Sequence, residues 1–292
     1  MPTSASAVHP LALHHRMTPR DRHLLAQLDQ HLVLTTDQIH HLHYRALRTC
    51  QIRLHELYTL GLLDRFRFAR LYGGSEPWHW VLGLHGARFQ AGATGRPAPT
   101  LRGHRDQVVR LTARPRLPHL LATNEFFVRL GFTARIDQRV SLDRWWSERT
   151  TTAKFLRIRP DAHGLWTARG RTVGWFLETD MGTEPLTRVV AKLPAYEQLA
   201  ASGGPAYPVL FWLPNADRES HLQQALRQRL PEVPVATATH EVDPADAVWL
   251  PIDGWQRMAL PDLPTDHGLN TAGNPNWIDG HLDLSNQADI AA

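Results

Sequence analysis

Four side chains in the second half of the sequence have the types and spacing that phosphodiester chemistry uses. Asp161 follows Arg159-Pro160, Glu178 and Asp180 stand two apart in Phe176-Leu177-Glu178-Thr179-Asp180, and Lys192 follows in the next helical stretch. Residues two apart on a strand point to one face, so adjacent strands would bring Asp161, Glu178 and Asp180 together. Clustered oxygen ligands with open positions are what Mg²⁺ takes, and Mg²⁺ beside a phosphodiester supports hydrolysis or strand transfer. The competing reading makes the three strand-end carboxylates, solvated or paired with nearby arginines. Lys192 stands out because the chain has 30 arginines and only 2 lysines, and a lysine is a compact point charge suited to a phosphate and an attacking water.

These positions need a sheet to hold them. Residues 155–160, 172–179 and 207–213 read as strands, 135–140 as a further strand, and 185–201 as a helix between the second and third of the main strands. Helices at 104–111 and 118–130 precede them. The pattern predicts an α/β domain over residues 104–257.

The first third has a different character. Residues 1–116 hold 16 arginines against 7 acidic residues, a net of +9, whereas residues 117–257 balance 16 Lys plus Arg with 16 acidic residues. The polyanion-binding end is therefore the first third. Thr18-Pro19 caps a helix carrying Leu24, Leu25, Leu28 and Leu32, and residues 34–39 lead into a short second helix with Ile39 and Leu42 on its apolar face. Leu47, Cys50, Leu54 and Leu57 step by 3, 4 and 3 along a third helix, and Gly61 stops it. Arg65 to Phe68 and Trp78 to Leu82 then read as a hairpin around Gly73-Gly74, and a short helix at 85–91 closes the unit. Three helices and a hairpin predict a winged helix-turn-helix over residues 18–92. In that fold the third helix enters the major groove and hairpin arginines lie against phosphates. The expected DNA-binding set is Arg45, Arg48, Thr49, Gln51, Arg53, Arg65, Arg67 and Arg70. The same elements also build protein-protein modules, and basic residues on both helix and hairpin favour DNA. His40, His41 and His43 read as decoration of a solvated helix face, since no acidic or Cys ligand joins them at a metal-binding spacing.

Residues 93–103, rich in Gly and Pro, read as a linker. Residues 258–292 hold 5 Asp and no Lys or Arg and read as an acidic disordered tail, and 1–17 as a flexible start. With one cysteine in 292 residues, an internal disulfide is excluded. No apolar run reaches a membrane span and no secretory signal pattern opens the chain, so a cytoplasmic location is expected.

The segment Leu34-Thr35-Thr36-Asp37-Gln38-Ile39, the helix from Arg48 to Leu57 ending in Gly61-Leu62-Leu63, and the later runs Arg159-Pro160-Asp161-Ala162, Phe176 to Glu184 and Lys192-Leu193-Pro194-Ala195-Tyr196 resemble the replication-relaxation family of bacterial plasmids and integrative elements. The resemblance spans about 18 to 214 and implies a role in plasmid replication, DNA relaxation or mobilisation. The second domain is also similar to the PD-(D/E)XK nuclease core, with Pro160-Asp161 and Glu178 in place and Asp180 where that pattern has lysine. The similarity implies Lys192 as a migrated substitute and Glu125 as a further ligand, or else a fold kept without its chemistry. Tyr196 is either a nucleophile or, more in keeping with an aromatic there, a core residue. The sequence thus predicts an α+β protein, a winged helix-turn-helix followed by a PD-(D/E)XK-like domain, that binds double-stranded DNA of a mobile element. The alternatives are a Mg²⁺-dependent nickase with Asp161, Glu178, Asp180 and Lys192 as its site, and a transcription regulator of the element. A homodimer reading two half-sites, and replication or conjugation proteins, are the further partners implied.

Overall fold

In the computed structural model, which describes residues 15–69 and 73–284, Thr18 opens helix α1 (Pro19–His31) with a capping box: Asp21 N donates to Thr18 Oγ1 at 3.2 Å and Thr18 N donates to Asp21 Oδ2 at 2.7 Å. The second helix, α2 (Thr36–His43), repeats the device with Thr35 and Gln38. Helix α3 (Leu47–Thr59) buries Cys50, Leu54 and Leu57, the stripe its spacing predicts. A left-handed Gly61 at φ +67° turns the chain into β2 (Leu63–Phe66), which pairs antiparallel with β3 (His79–Leu82). The short β1 (Leu34–Thr35) pairs with the other edge of β3, giving a three-stranded sheet in the order β1-β3-β2. Helices α4 (Leu84–Ala93) and α5 (Leu101–Thr112) follow.

The chain is mixed α+β and divides into two compact units between Leu117 and Pro118. This differs from the expected boundary. Residues 93–103 do not separate the units, because Thr100 caps α5 by accepting from Gly103 N and the buried His104 donates to the Leu82 carbonyl of β3 at 2.9 Å. A ring hydrogen bond thus helps tie to the first sheet a helix whose sequence reads as the start of the second domain.

The second unit is a six-stranded sheet in the order β4-β5-β6-β7-β8-β9. It begins with α6 (Leu117–Ile136), β4 (Val140–Ser147), α7 (Glu148–Phe155), β5 (Ala162–Ala168) and β6 (Arg171–Thr179). Helices α8 (Leu186–Val190) and α9 (Leu193–Ala201) lead to β7 (Val209–Leu213), and α10 (Ala216–Arg227) leads to β8 (Val235–Thr239) and β9 (Leu250–Pro251). The β4/β5 and β5/β6 pairs are antiparallel and β6/β7 and β7/β8 parallel, so β6 joins an antiparallel half to a helix-connected parallel half. One core packs Phe176, Val209 and Phe211 of the sheet with Leu193 and Tyr196 of α9 and Leu222 of α10. Elsewhere Phe126 of α6 stacks edge-on with Trp175, Trp212 and Trp249.

Three local expectations are revised. Residues 155–160 are not a strand: α7 runs to Phe155, and the strand is β5, whose Gly164 breaks the apolar alternation. A Cβ at Gly164 would stand 2.3 Å from the Trp175 ring, so only glycine fits. Residues 135–140 likewise hold the end of α6 and the first residue of β4. The stretch 258–284 is folded onto the sheet. Leu260, Leu263 and Asn276 are fully buried, Arg171 donates to the carbonyls of Pro261 and Leu263 at 2.8 and 3.0 Å, and Arg144 donates to Asn276 Oδ1 at 2.8 Å. The acidic composition hides these contacts, because their donors come from arginines distant in sequence. Residues 285–292 of the expected tail and 1–14 of the expected flexible start lie outside the described residues, while Met17, also assigned to that start, is buried. Among the described residues no helix is long and apolar enough to cross a membrane.

Candidate functional site

In the first unit α3 presents Arg48, Thr49, Gln51 and His55 outward, with Arg45 exposed just before it and Ile52 47% exposed among them. Arg53 does not share this face. Its Nε donates to Asp21 Oδ1 at 3.1 Å and its Nη2 to Asp21 Oδ2 at 2.6 Å, and Nη2 also donates to the Arg16 carbonyl. Asp21 is 1% exposed. Burial alone would raise its carboxyl, but the hydrogen bonds from Arg53 and Thr18 outweigh that and hold it below the usual range. Arg53 is thus an internal clamp between α3 and α1, not a member of the exposed set.

The hairpin carries an aromatic ladder. The Arg65 guanidinium lies 4.0 Å from the Trp78 ring centre, 4.7 Å from Tyr58 and 5.3 Å from Trp80, and Arg67 lies 4.4 Å from Trp78. Trp80 is fixed in turn by its Nε1 donating to Thr36 Oγ1 at 2.9 Å. Two guanidiniums spaced by one indole form a rigid pair of donors of the geometry that suits phosphates. Arg70 lies outside the described residues. Cys50 is fully buried and its thiol is pushed up to about 12, first by burial and then by Asp37, so it is held as an unreactive thiol.

In the second unit Glu178, near the end of β6, is 2% exposed. It accepts from Lys192 Nζ and from Tyr196 Oη, both at 2.5 Å. Burial pushes the Glu178 carboxyl up to about 7, the neighbouring Asp161 adds to the rise, and Lys192 and Tyr196 oppose it. Lys192 is held protonated above its ordinary range because the Glu178 and Asp161 carboxylates outweigh its partial burial. The Tyr196 hydroxyl is pushed well up by burial and then by Glu178. It is an interior anchor for Glu178, not an exposed nucleophile.

Asp161 precedes β5 and donates its N–H to the Leu177 carbonyl. Its Oδ2 accepts from Thr179 N at 2.8 Å and from His119 Nε2 at 3.1 Å, the same ring nitrogen that donates to the Thr179 carbonyl at 2.9 Å. Asp180 turns to a different helix. Its Oδ2 accepts from Arg218 Nε at 2.6 Å and its Oδ1 from Gly182 N at 2.9 Å. Glu125, expected as a further ligand, pairs with Arg129 one turn along α6.

The three carboxylates therefore do not converge on one open point. Both oxygens of Glu178 and of Asp180 are taken, each by a cation and a second donor, and this donor set does not fit a magnesium ion as it stands. Among the described residues no group of three or more His, Cys, Asp or Glu side chains is placed to hold a metal ion. The structure does bring together Asp161, Glu178 and Lys192, with His119 and Tyr196. Glu178 is thus a buried carboxylate raised toward neutrality, in contact with a half-exposed lysine, a combination of the kind found at sites that handle protons.

A family model described as replication-relaxation matches residues 25–209. The chain belongs to the replication-relaxation family. No curated protein and no solved structure matches it. The span that makes it a replication-relaxation protein contains the α3 face, the hairpin ladder, Asp161, Glu178, Lys192 and Tyr196, and it ends before Arg218, the partner of Asp180.

Sequence reasoning missed three residues of these sites in this replication-relaxation protein. His119 lies 42 positions from Asp161 with no motif between them. Trp78 reads only as part of the hairpin, and Tyr58 is not singled out. The alternation Arg65-Phe66-Arg67 beside Trp78 is the one sequence signal for the ladder, because i and i+2 on a strand share a face.

Proposed function

We propose that this replication-relaxation protein binds double-stranded DNA through its first unit, a winged helix-turn-helix, and so acts in replication or relaxation of a plasmid or mobile element. The observation that carries this reading is the pairing of two surfaces. An exposed helix face of Arg48, Thr49, Gln51 and His55 supplies donors for base edges, and the Arg65-Trp78-Arg67 ladder supplies fixed cations for phosphates. The net +9 of residues 1–116 supports it, since steering to DNA scales with local positive charge. Mobility shifts of origin and promoter fragments of the element by the full chain test the proposal. Retention of the origin fragment supports a replication role, retention of the promoter alone supports a regulator, and retention of neither refutes duplex binding.

A second reading, a nicking activity of the second unit, is favoured by the elevated Glu178 carboxyl touching Lys192. Conversion of supercoiled plasmid to open circle that Lys192→Ala abolishes would support it. Intact plasmid under conditions where the protein binds would remove it.

A further inference from the structure

Trp255 is the most exposed large apolar side chain among the described residues, at 86%. A tryptophan left almost wholly in water forgoes a large favourable burial; single exposed apolar side chains are common, and what sets this one apart is the cation and the groove beside it. Trp255 is held: the Arg227 guanidinium lies 4.3 Å from its ring centre. Arg227 is itself fixed, with Nε donating to the Ile252 carbonyl at 3.2 Å and Nη2 to the Gly254 carbonyl at 3.1 Å. Its partners are carbonyls and an indole, and no carboxylate pairs with it among the described residues.

Beside this pair runs a groove of about 730 Å³ along α10, lined by Ser220, Gln224, Gln228 and Arg227 on one helical stripe and by Gln223 at its buried side. Gln223 Nε2 donates to Thr237 Oγ1 and to the Leu250 carbonyl, and its Oε1 accepts no hydrogen bond. Glu219 and Arg257 also line the groove and neutralise each other through two bonds, Nη1 to Oε1 at 3.0 Å and Nη2 to Oε2 at 2.7 Å. Of the charges lining the groove, Arg227 remains unopposed, and the nearby exposed Asp253 lies outside the lining.

We infer that Trp255, Arg227 and the amide-lined groove of α10 form a binding site for single-stranded DNA in the second unit. A base stacks on the open face of Trp255, the adjacent phosphate meets Arg227, and Gln224 and Gln228 meet base edges or sugars. Stacking on an aromatic with a cation beside it is how strands are held without reference to sequence. A groove lined by three glutamine amides, with one unopposed cation, fits a nucleic-acid strand better than an apolar protein face, which would need a wider dry patch around the indole. The inference rests on the reading that this protein acts on DNA, whose replication or relaxation exposes single strands, but it places the contact in a unit separate from the duplex-binding one.

The test is fluorescence anisotropy of the full chain with a labelled single-stranded oligo-dT and, separately, with a labelled duplex. Trp255→Ala is expected to weaken oligo-dT binding about 5- to 150-fold, the range for loss of one stacked base, and to leave duplex binding unchanged. Trp255→Phe should keep most of the affinity, and Arg227→Gln should weaken oligo-dT binding and reduce its salt dependence. Wild-type affinity for oligo-dT in Trp255→Ala, or no oligo-dT binding by the wild type while the duplex is bound, would overturn the site without touching the duplex reading. Self-association of the wild type that Trp255→Ala abolishes, with oligo-dT unbound, would overturn it in favour of a protein contact.

Discussion

Arg53 and Asp21 form a bidentate pair between α3 and α1, with Nε 3.1 Å from Oδ1 and Nη2 2.6 Å from Oδ2. The carboxylate is buried and the arginine is its only cationic contact at hydrogen-bond distance among the described residues. Removing one partner of such a pair leaves a buried charge without compensation, which costs more than the pair itself contributes. Arg53→Ala should therefore lower unfolding free energy by about 3 kcal/mol, read as a shift of the urea midpoint. Asp21 has a lowered carboxyl, so its stabilisation is present above the ordinary carboxylate pKa and is lost as pH falls through the lowered value. A variant as stable as wild type would remove Arg53 from its structural role.

The Arg65-Trp78-Arg67 ladder predicts a different kind of loss. Trp78→Ala keeps both arginines but removes the ring between them: Arg67 loses its aromatic contact, while Arg65 keeps Tyr58 and Trp80, and each exposed cation-π contact contributes about 0.5–1 kcal/mol. Stability should fall by about 1–2 kcal/mol from these two contacts, and duplex affinity should weaken for every sequence alike, because the arginines are no longer held in one pose. Unchanged affinity in an anisotropy titration would show that the ladder does not position the arginines.

The Glu178 carboxyl, raised to about 7, predicts a pH signature. Between about 4.5 and about 7 the folded protein holds a proton there that the unfolded chain has released. The stability due to this group is thus full at low pH and is lost as pH rises through about 7. Glu178→Gln keeps a neutral group in place and should remove this slope. Urea unfolding of both proteins at pH 4.5, 6 and 8 measures it, and parallel pH dependences would contradict the raised carboxyl.

Residues 258–284 predict that truncation after Arg257 is damaging. It would strip fully buried Leu260 and Leu263 from the sheet, at about 1.5–3 kcal/mol each, and leave Arg171 and the buried Arg144 without their carbonyl and amide acceptors. Loss of the cooperative transition of the second unit in calorimetry is the expected result. An unaltered transition would mean these contacts contribute nothing.

Local pattern made the first unit readable. Thr18, Thr35, the Cys50-Leu54-Leu57 stripe and Gly61 each act within a few residues of themselves, and the α1 to β3 succession follows from them. What the sequence hid depends on partners far away. Arg53 reads as a surface arginine until Asp21, 32 positions earlier, is placed beside it. His104 reads as the start of a second domain until it reaches Leu82. Glu178 and Asp180 share a two-residue spacing, yet the N-cap of α9 supplies Lys192 to one and α10 supplies Arg218 to the other, and so they divide a cluster that strand periodicity alone would assemble.

The most direct measurement of the central claim is anisotropy of the full chain with a labelled origin duplex over a range of salt, for wild type, Arg48→Ala and Arg67→Ala. Wild type should show a steep salt dependence. Arg67→Ala should weaken binding to all duplexes and reduce the salt slope by about one, and Arg48→Ala should cost about 1–3 kcal/mol on the preferred sequence and less on others. Binding by both variants indistinguishable from wild type, or no salt-dependent binding by wild type, would contradict it.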